Sequence, residues 1–247
     1  MSDRFTGRTV VVTGAGSGIG RATVVRLHAE GATVVATDVA GDRLVALAAD
    51  LPGDRLRTVT GDVAEDATVE AVVAAADGRL DGLANVAGIM DGFLPAGEVD
   101  DATWDLVLRV NLTAPQKLVR AALPLLLDGG GAIVNVASEA ALRGSAAGAA
   151  YTASKHGLVG LTRHVAFAYG PQGVRANVVA PGPVVTGITG EMRSALGAAR
   201  SGPVLQAVGL VPVGPEHLAS AITWLLSDES ANVNGAVLPS DGGWSVV

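Results

Sequence analysis

Residues 10–22 read VVVTGAGSGIGRA, and few stretches narrow the choice of fold as much. A β-branched run ends at Thr13. Glycines follow at 14, 16, 18 and 20, and a helical Ala/Val pattern begins. Glycine permits a tight turn and lets a ligand approach the backbone closely. The helix N-terminus beyond it offers free N–H groups and partial positive charge, which suits a pyrophosphate. Any strand-to-helix turn can use glycine, so the context has to carry the reading. Here a second apolar strand, TVVATD, ends in Asp38. A carboxylate at that place can accept two hydrogen bonds from an adenosine ribose and would repel a 2′-phosphate. Neither Ser17 nor Val39 supplies an offsetting cation, and Arg21 and Arg43 read as solvated helix residues. NAD is therefore expected over NADP. The plain alternative for Asp38 is a strand-end cap.

The same alternation runs through the chain. Short β-branched or apolar runs occur at 8–14, 32–38, 55–62, 80–88, 131–138 and 174–182. Ala/Leu-rich helical stretches occur at 18–30, 42–50, 65–76, 101–127 and 150–169. Near-continuous apolar strands alternating with helices predict a parallel sheet covered on both faces. Right-handed crossovers make it doubly wound, with about seven strands. A length of 247 residues suits one large α/β domain or two small ones, and the absence of any linker-like stretch leads to one domain, 1–247, as the expectation. Asp66 and Asp101 stand where helix N-caps are expected. Pro115 is expected to kink or break the 101–127 helix. The irregular stretch 182–214 reads as a loop with one or two short helices, and 183–210 as a substrate lid.

Composition limits the partners. Hydrophobic residues make up 49% and charged residues 17%, ample for a core. The absence of cysteine excludes disulfides, thiolate metal sites and a cysteine nucleophile. Net charge is −7 and the arginines are scattered singly, so no nucleic-acid footprint is visible. The opening MSDRFTGRTV lacks an apolar signal core, and no apolar run approaches the ~18 residues of a membrane span. A soluble cytoplasmic protein without membrane contact is expected. His28, His156, His164 and His217 form no ligand pair with nearby acids, so no metal is expected. His156 and His164 read as helix-surface or interface residues.

The stretch YTASKHG, 151–157, poses a chemical question. All but two of the seventeen basic residues are arginine, yet Lys155 stands four residues after Tyr151. On a helix the two share a face. A free phenol, with a pKa near ~10, is a poor base at neutrality, and a nearby cation lowers that value. Arginine supplies charge but releases no proton at working pH, whereas lysine can do both. Ser138 lies just past the fifth strand, at the edge of the sheet where ligands bind. Its hydroxyl could support developing charge on a substrate oxygen. Taken singly, an exposed Tyr/Lys pair and a turn serine are ordinary features.

Together these motifs, in this order, resemble the short-chain dehydrogenase/reductase family almost end to end. TGAGSGIG at 13–20 matches the family's cofactor turn, NVAG at 85–88 its strand-four motif, and Asn111 its helix asparagine. Ser138 matches its serine and YTASK its Y-x-x-x-K. PGPVVT at 181–186 and SDGG at 240–243 match its later signatures. The resemblance implies that Tyr151 is the general acid/base and that Ser138 orients the substrate oxygen. Lys155 would lower the Tyr151 pKa and bind the nicotinamide ribose, and Asn111 would hold a relay water. It implies cofactor contacts from Gly14, Ser17, Gly18, Ile19, Gly20 and Asp38. Asp62 and Val63 would contact the adenine, and Asn85, Ala87 and Gly88 would form the cofactor floor. Pro181, Gly182, Val184 and Thr186 would place the nicotinamide. Val86 departs from the pattern, where a second asparagine is usual. Asn111 is a poor helix former, which makes sense if the backbone opens around it.

Specificity is expected from 89–97, 139–149 and the lid. These offer Met90, Phe93, Leu94, Ala140, Leu142, Ala147, Val185, Ile188, Met192 and Leu196. The set points to a modest apolar ketone or secondary alcohol. Arg143 and Arg193 could bind an acid group, though solvent-facing placement is the favoured reading. The alternatives are a 3-oxoacyl-thioester reductase, a catalytically silent NAD-binding sensor, and another reaction on the same cofactor, such as epimerisation. Apolar surface on 101–127 and 150–169, with the ending AVLPSDGGWSVV, leads to an expected homo-oligomer, as a dimer or tetramer.

Overall fold

The computed structural model describes residues 3–188, 191–209 and 211–246. Its strands are β1 (Thr9–Thr13), β2 (Thr33–Asp38), β3 (Leu56–Thr60), β4 (Gly82–Asn85), β5 (Gly131–Val136), β6 (Val174–Pro181) and β7 (Val237–Ser240). Its helices are α1 (Gly18–Ala29), α2 (Gly41–Asp50), α3 (Asp66–Ala74), α4 (Asp101–Leu108), α5 (Ala114–Leu126), α6 (Ala149–Tyr169), α7 (Ala195–Val208) and α8 (Pro215–Leu226). Among the described residues the sheet has seven strands in the order β3-β2-β1-β4-β5-β6-β7. Every neighbouring pair is parallel. This is the doubly wound α/β sheet that the alternation predicts. Strand order reverses at β1, which pairs with β2 on one side and β4 on the other, opening a crevice at their carboxyl ends.

Both faces of the sheet are buried, which is why the strands read as nearly unbroken apolar runs. Val10, Val12, Val34, Val134 and Val179 pack on one side against Val24 and Leu27 of α1, Leu44 of α2 and Ile222 of α8. The alternate residues Val11, Val35, Leu83, Ile133 and Ala176 face Val72 of α3, Leu118 of α5 and Val165 of α6. With few aromatics available, the core is built from Val, Leu and Ala. No helix among the described residues is long and apolar enough to cross a membrane.

Local expectations are corrected in three places. The helix caps fall one residue earlier than expected. Asp100 caps α4, its Oδ1 accepting from Thr103 N at 2.8 Å, and Asp101 lies in the first turn. Glu65 precedes α3, and Asp66 instead pairs with Lys117 at 2.9 Å. Pro115 does not break the 101–127 helix. A π-helical turn, Arg109–Thr113, widens the chain just before it, and the proline sits in the first turn of α5, where its missing N–H costs little. The 183–210 stretch is also more regular than a loop with one or two short helices. It carries the fourteen-residue α7, capped by Ser194 Oγ accepting from Gly197 N at 2.9 Å. Thr189, Gly190 and Leu210 of that stretch lie outside the described residues.

A buried polar chain crosses the second core. Asn85 Nδ2 donates to Asn135 Oδ1 and Asn135 Nδ2 to Thr162 Oγ1, each at 2.8 Å. The Thr162 hydroxyl donates onward to Leu158 O at 2.7 Å. It pins β4, β5 and α6 in one register. Thr162→Val keeps the shape but strands a buried amide, so it should cost about 1–3 kcal/mol in urea-unfolding experiments.

Candidate active site

The glycine turn, Ala87 and Thr186 meet at the crevice because side chains are missing there. Gly14 has φ +65°, and a Cβ on it would stand 3.0 Å from the Ala87 backbone. Gly18 has φ +50°, and a Cβ would stand 2.9 Å from Thr186 Cγ2. At Gly20 a Cβ would overlap the Gly14 carbonyl oxygen, so only glycine lets α1 begin this close to the turn. Thr13 Oγ1 holds the facing segment, accepting from Val86 N at 2.9 Å and Ala87 N at 3.0 Å. Asp38, half-buried, closes the far side. Its Oδ2 accepts from Gly16 N and its Oδ1 from Ala40 N, both at 2.9 Å. Ser17 precedes α1 as its N-cap residue, and Ile19 lies in the first turn. These are the donors, the cradle and the acid that a dinucleotide needs, and they could hold one.

Ala87 leads directly to Gly88, and Gly88 to the reactive residues. A Cβ at Gly88 would lie 3.3 Å from both Asn111 Oδ1 and Lys155 Nζ. Asn111 sits in the π-helical turn, where its Oδ1 accepts from Ile89 N at 2.9 Å. Its Nδ2 donates to Ile89 O at 2.9 Å and Ser154 Oγ at 3.2 Å. The widened backbone expected around this asparagine is present. Lys155 is buried, donates to Val136 O at 2.9 Å, and lies 5.4 Å from the centre of the Tyr151 ring. Ser138, just past the end of β5, bears on the Tyr151 phenol and favours its ionised form. Its Oγ also accepts from Ala140 N at 3.1 Å.

Burial dominates the electrostatics. The Tyr151 phenol is pushed up to about 12 by burial, with Ser138 pulling it down and the Asp91 charge adding to the rise. Burial pulls Lys155 down to about 8. Lys155 is not among the groups that shift the Tyr151 phenol. The ammonium is turned to the Val136 carbonyl, and desolvation of the phenol is the larger effect.

Most of the other expected residues have partners within the chain. The Asn85 side chain is buried in the sheet on Asn135 rather than facing the crevice floor. Asp62 is occupied by Arg109 at 2.9 Å, a partner the sequence did not suggest, and Val63 is buried. Pro181 ends β6, Gly182 packs on Asp241, and Val184 bridges to Val213. Arg143 is not solvent-facing. It pairs with the buried Glu139 and donates to Trp244 O at 2.7 Å. Arg193 is exposed as expected, and so are His156 and His164. Among the expected specificity residues, Phe93, Leu94, Ala140 and Ala147 are buried, and Leu142, Val185, Ile188, Met192 and Leu196 are exposed. Asp91 and Glu139 escaped sequence reading, because an acid in a loop looks solvated until its burial is seen.

The model of a family described as enoyl-(acyl carrier protein) reductase matches residues 14–245. The short-chain dehydrogenase/reductase olcF of Penicillium canescens is 40% identical over 97% of each chain. The crystal structure of levodione reductase superposes with a TM-score of 0.90 at 36% identity, covering 99% of this chain and 100% of that one. A short-chain dehydrogenase from Mycobacterium paratuberculosis bound to NAD gives 0.87 at 31% identity, covering 99% and 100%.

Lys155 has a consequence for stability. Its folded pKa, about 8, lies below the ordinary 10.5. Between these values the unfolded chain holds a proton that the folded chain lacks, so this residue's contribution to stability rises with pH from about 8 to 10.5. Below that window a charged group stays buried at a cost. Lys155→Met should therefore stabilise the fold at neutral pH by ~2 kcal/mol, with the gain fading as pH rises through the window, as read by thermal unfolding.

Proposed function

The chain belongs to the short-chain dehydrogenase/reductase family, and from that premise we propose an NAD-dependent enzyme that interconverts a modest apolar ketone and its secondary alcohol. The observation that carries this is Tyr151 beside buried Lys155 and under the influence of Ser138, reached from the glycine turn through Ala87 and Gly88.

Gly14, Ser17, Gly18, Ile19 and Gly20 would hold the cofactor pyrophosphate, and Asp38 the adenosine ribose. Asp62 and Val63 would stand beside the adenine, and Ala87, Gly88, Pro181, Gly182, Val184 and Thr186 around the nicotinamide. When bound, the nicotinamide supplies or accepts the hydride. The rest falls to this chain. Ser138 hydrogen-bonds the substrate oxygen, which gains negative charge as a carbonyl is reduced. Tyr151 gives that oxygen its proton, or takes it in the reverse direction. A phenol held at about 12 is protonated at neutral pH, the form that carbonyl reduction requires. Lys155, with a pKa near 8, can exchange protons near working pH, and Asn111 holds the loop against which it packs.

NAD is favoured over NADP because Asp38 already bears on the turn through Gly16 N. The NAD-bound neighbour and the one named levodione reductase, whose name denotes a dione, support the cofactor and the carbonyl. The exposed apolar residues near α7 suit a lid over an apolar substrate. Exposed Trp104, Leu106 and Phe167 on α4 and α6 support assembly of several copies.

Nicotinamide absorbance across a panel of ketones and secondary alcohols tests the proposal. Tyr151→Phe should keep NADH affinity while kcat falls by about 10²–10⁴. Near-normal turnover in that variant would remove Tyr151 from its role. Asp38→Ala should reduce the NAD/NADP preference by about tenfold or more, and unchanged discrimination would count against the ribose assignment.

A further inference from the structure

Asp91 is a buried carboxylate, 1% exposed, in the loop after β4. Among the described residues no cation is hydrogen-bonded to it. Its oxygens are spent on backbone N–H groups. Oδ2 accepts from Tyr151 N at 2.9 Å. Oδ1 accepts from Gly148 N at 3.2 Å and Phe93 N at 3.1 Å. Gly148, the N-cap residue of α6, makes no side-chain cap of its own. The free donors at the start of the helix that carries Tyr151 are thus satisfied from a distant loop, and the negative charge suits that helix end. The fit is close, since a Cβ on Gly148 would stand 2.5 Å from both Asp91 Oδ2 and Leu94 N. Leu94 O adds a further tie, accepting from Ala149 N at 2.9 Å.

The same loop reaches the region expected to form the lid. Gly92 and Phe93 both have positive φ, +70° and +58°, a costly geometry for phenylalanine. The Asp91 carboxylate holds this turn from one side. From the other, Arg193 N donates to Gly92 O at 2.9 Å, and a Cβ on Gly197 would overlap Phe93 O. One strained turn is clamped between the start of α6 and the start of α7.

We propose that Asp91 is a positioning residue for the reaction, its carboxylate fixing the first turn of α6, and so Tyr151, against the segment that leads into α7. This rests on the acid/base reading of Tyr151. Asp91 acts on Tyr151 through the backbone and through its charge. Among the described residues the polar or charged groups that bear on the phenol are Ser138 just past β5, Lys155 from α6 and, through its charge, Asp91 from the loop after β4. Of these, Asp91 disfavours the phenolate and Ser138 favours it.

The chain has only two tyrosines, Tyr151 and Tyr169, which makes a substrate-independent test available. In a Tyr169→Phe background, tyrosinate ultraviolet absorbance titrates Tyr151 alone. Asp91→Asn keeps one acceptor oxygen and removes the charge. It should lower the Tyr151 midpoint by about one unit while NADH affinity, read by fluorescence, stays within about twofold. Asp91→Ala, which loses the acceptors as well, should lower turnover of a ketone from the panel by about tenfold or more at nearly unchanged KM, with Asp91→Asn between it and the parent. An unmoved midpoint in Asp91→Asn, or loss of NADH binding in step with turnover, would overturn the proposal and leave Asp91 a scaffold residue. If Tyr151→Phe retained turnover, the acid/base reading would fall instead, and the titration would still report whether Asp91 acts on the phenol.

Discussion

The structure depends on a backbone approach that no side chain permits. Gly14 lies against Ala87, Gly18 against Thr186, and Gly20 against the Gly14 carbonyl. These contacts join the carboxyl ends of β1, β4 and β6 around one crevice, where the strand order reverses. Helix α1 can then begin beside the turn with its N–H groups facing outward. A methyl group at any of the three positions would push two elements apart. The crevice, the position of Gly88 and the access to Lys155 all follow from that closeness.

The second theme is what the protein does with buried polar groups. Burial without a partner is costly, and several buried polar groups here end on a backbone atom or another side chain that fixes geometry. Asn111 ties the π-helical turn to Ile89, Lys155 ties α6 to Val136, and Asp91 ties the start of α6 to its neighbouring loop. The Asn85–Asn135–Thr162 chain fixes the same helix to the sheet from beneath. Helix α6 is therefore held at several heights along its length. This is the rigidity needed by a helix that presents a phenol and an ammonium together. The cost appears in the shifted pKa values of Tyr151 and Lys155, both driven first by burial.

Much was legible in the chain, and the reasons are local. The six strand runs and the long helices carry periodicities that solvent and sheet burial impose on any sequence. The glycine turn is legible because positive φ and close contact demand glycine. The Ser138, Tyr151 and Lys155 set was found because their chemistry is unusual in a chain poor in tyrosine and lysine. The misses were matters of direction. Asn85 was expected at the crevice but lies in register with Asn135 across the sheet, where its side chain turns inward. Asp66 and Asp101 were misjudged by one position: Asp100 takes the cap of α4, and Glu65 precedes α3 without a side-chain cap bond. Arg143 looked solvated until Glu139 proved to be buried beside it.

By itself, the sequence determined the doubly wound sheet, the turn at residues 13–20 and the residue types that gather at the carboxyl ends of the strands. Period and backbone sterics act on neighbours in the chain, so they can be read there. Only the tertiary structure decided which polar groups are buried and what they bond. Asp91 reaches Tyr151 N across sixty positions of chain, Arg109 reaches Asp62 across forty-seven, and Lys155 reaches Val136 across nineteen. Burial, above all, then shifts the phenol and the ammonium. Desolvation depends on everything packed around a group, and no local pattern records it.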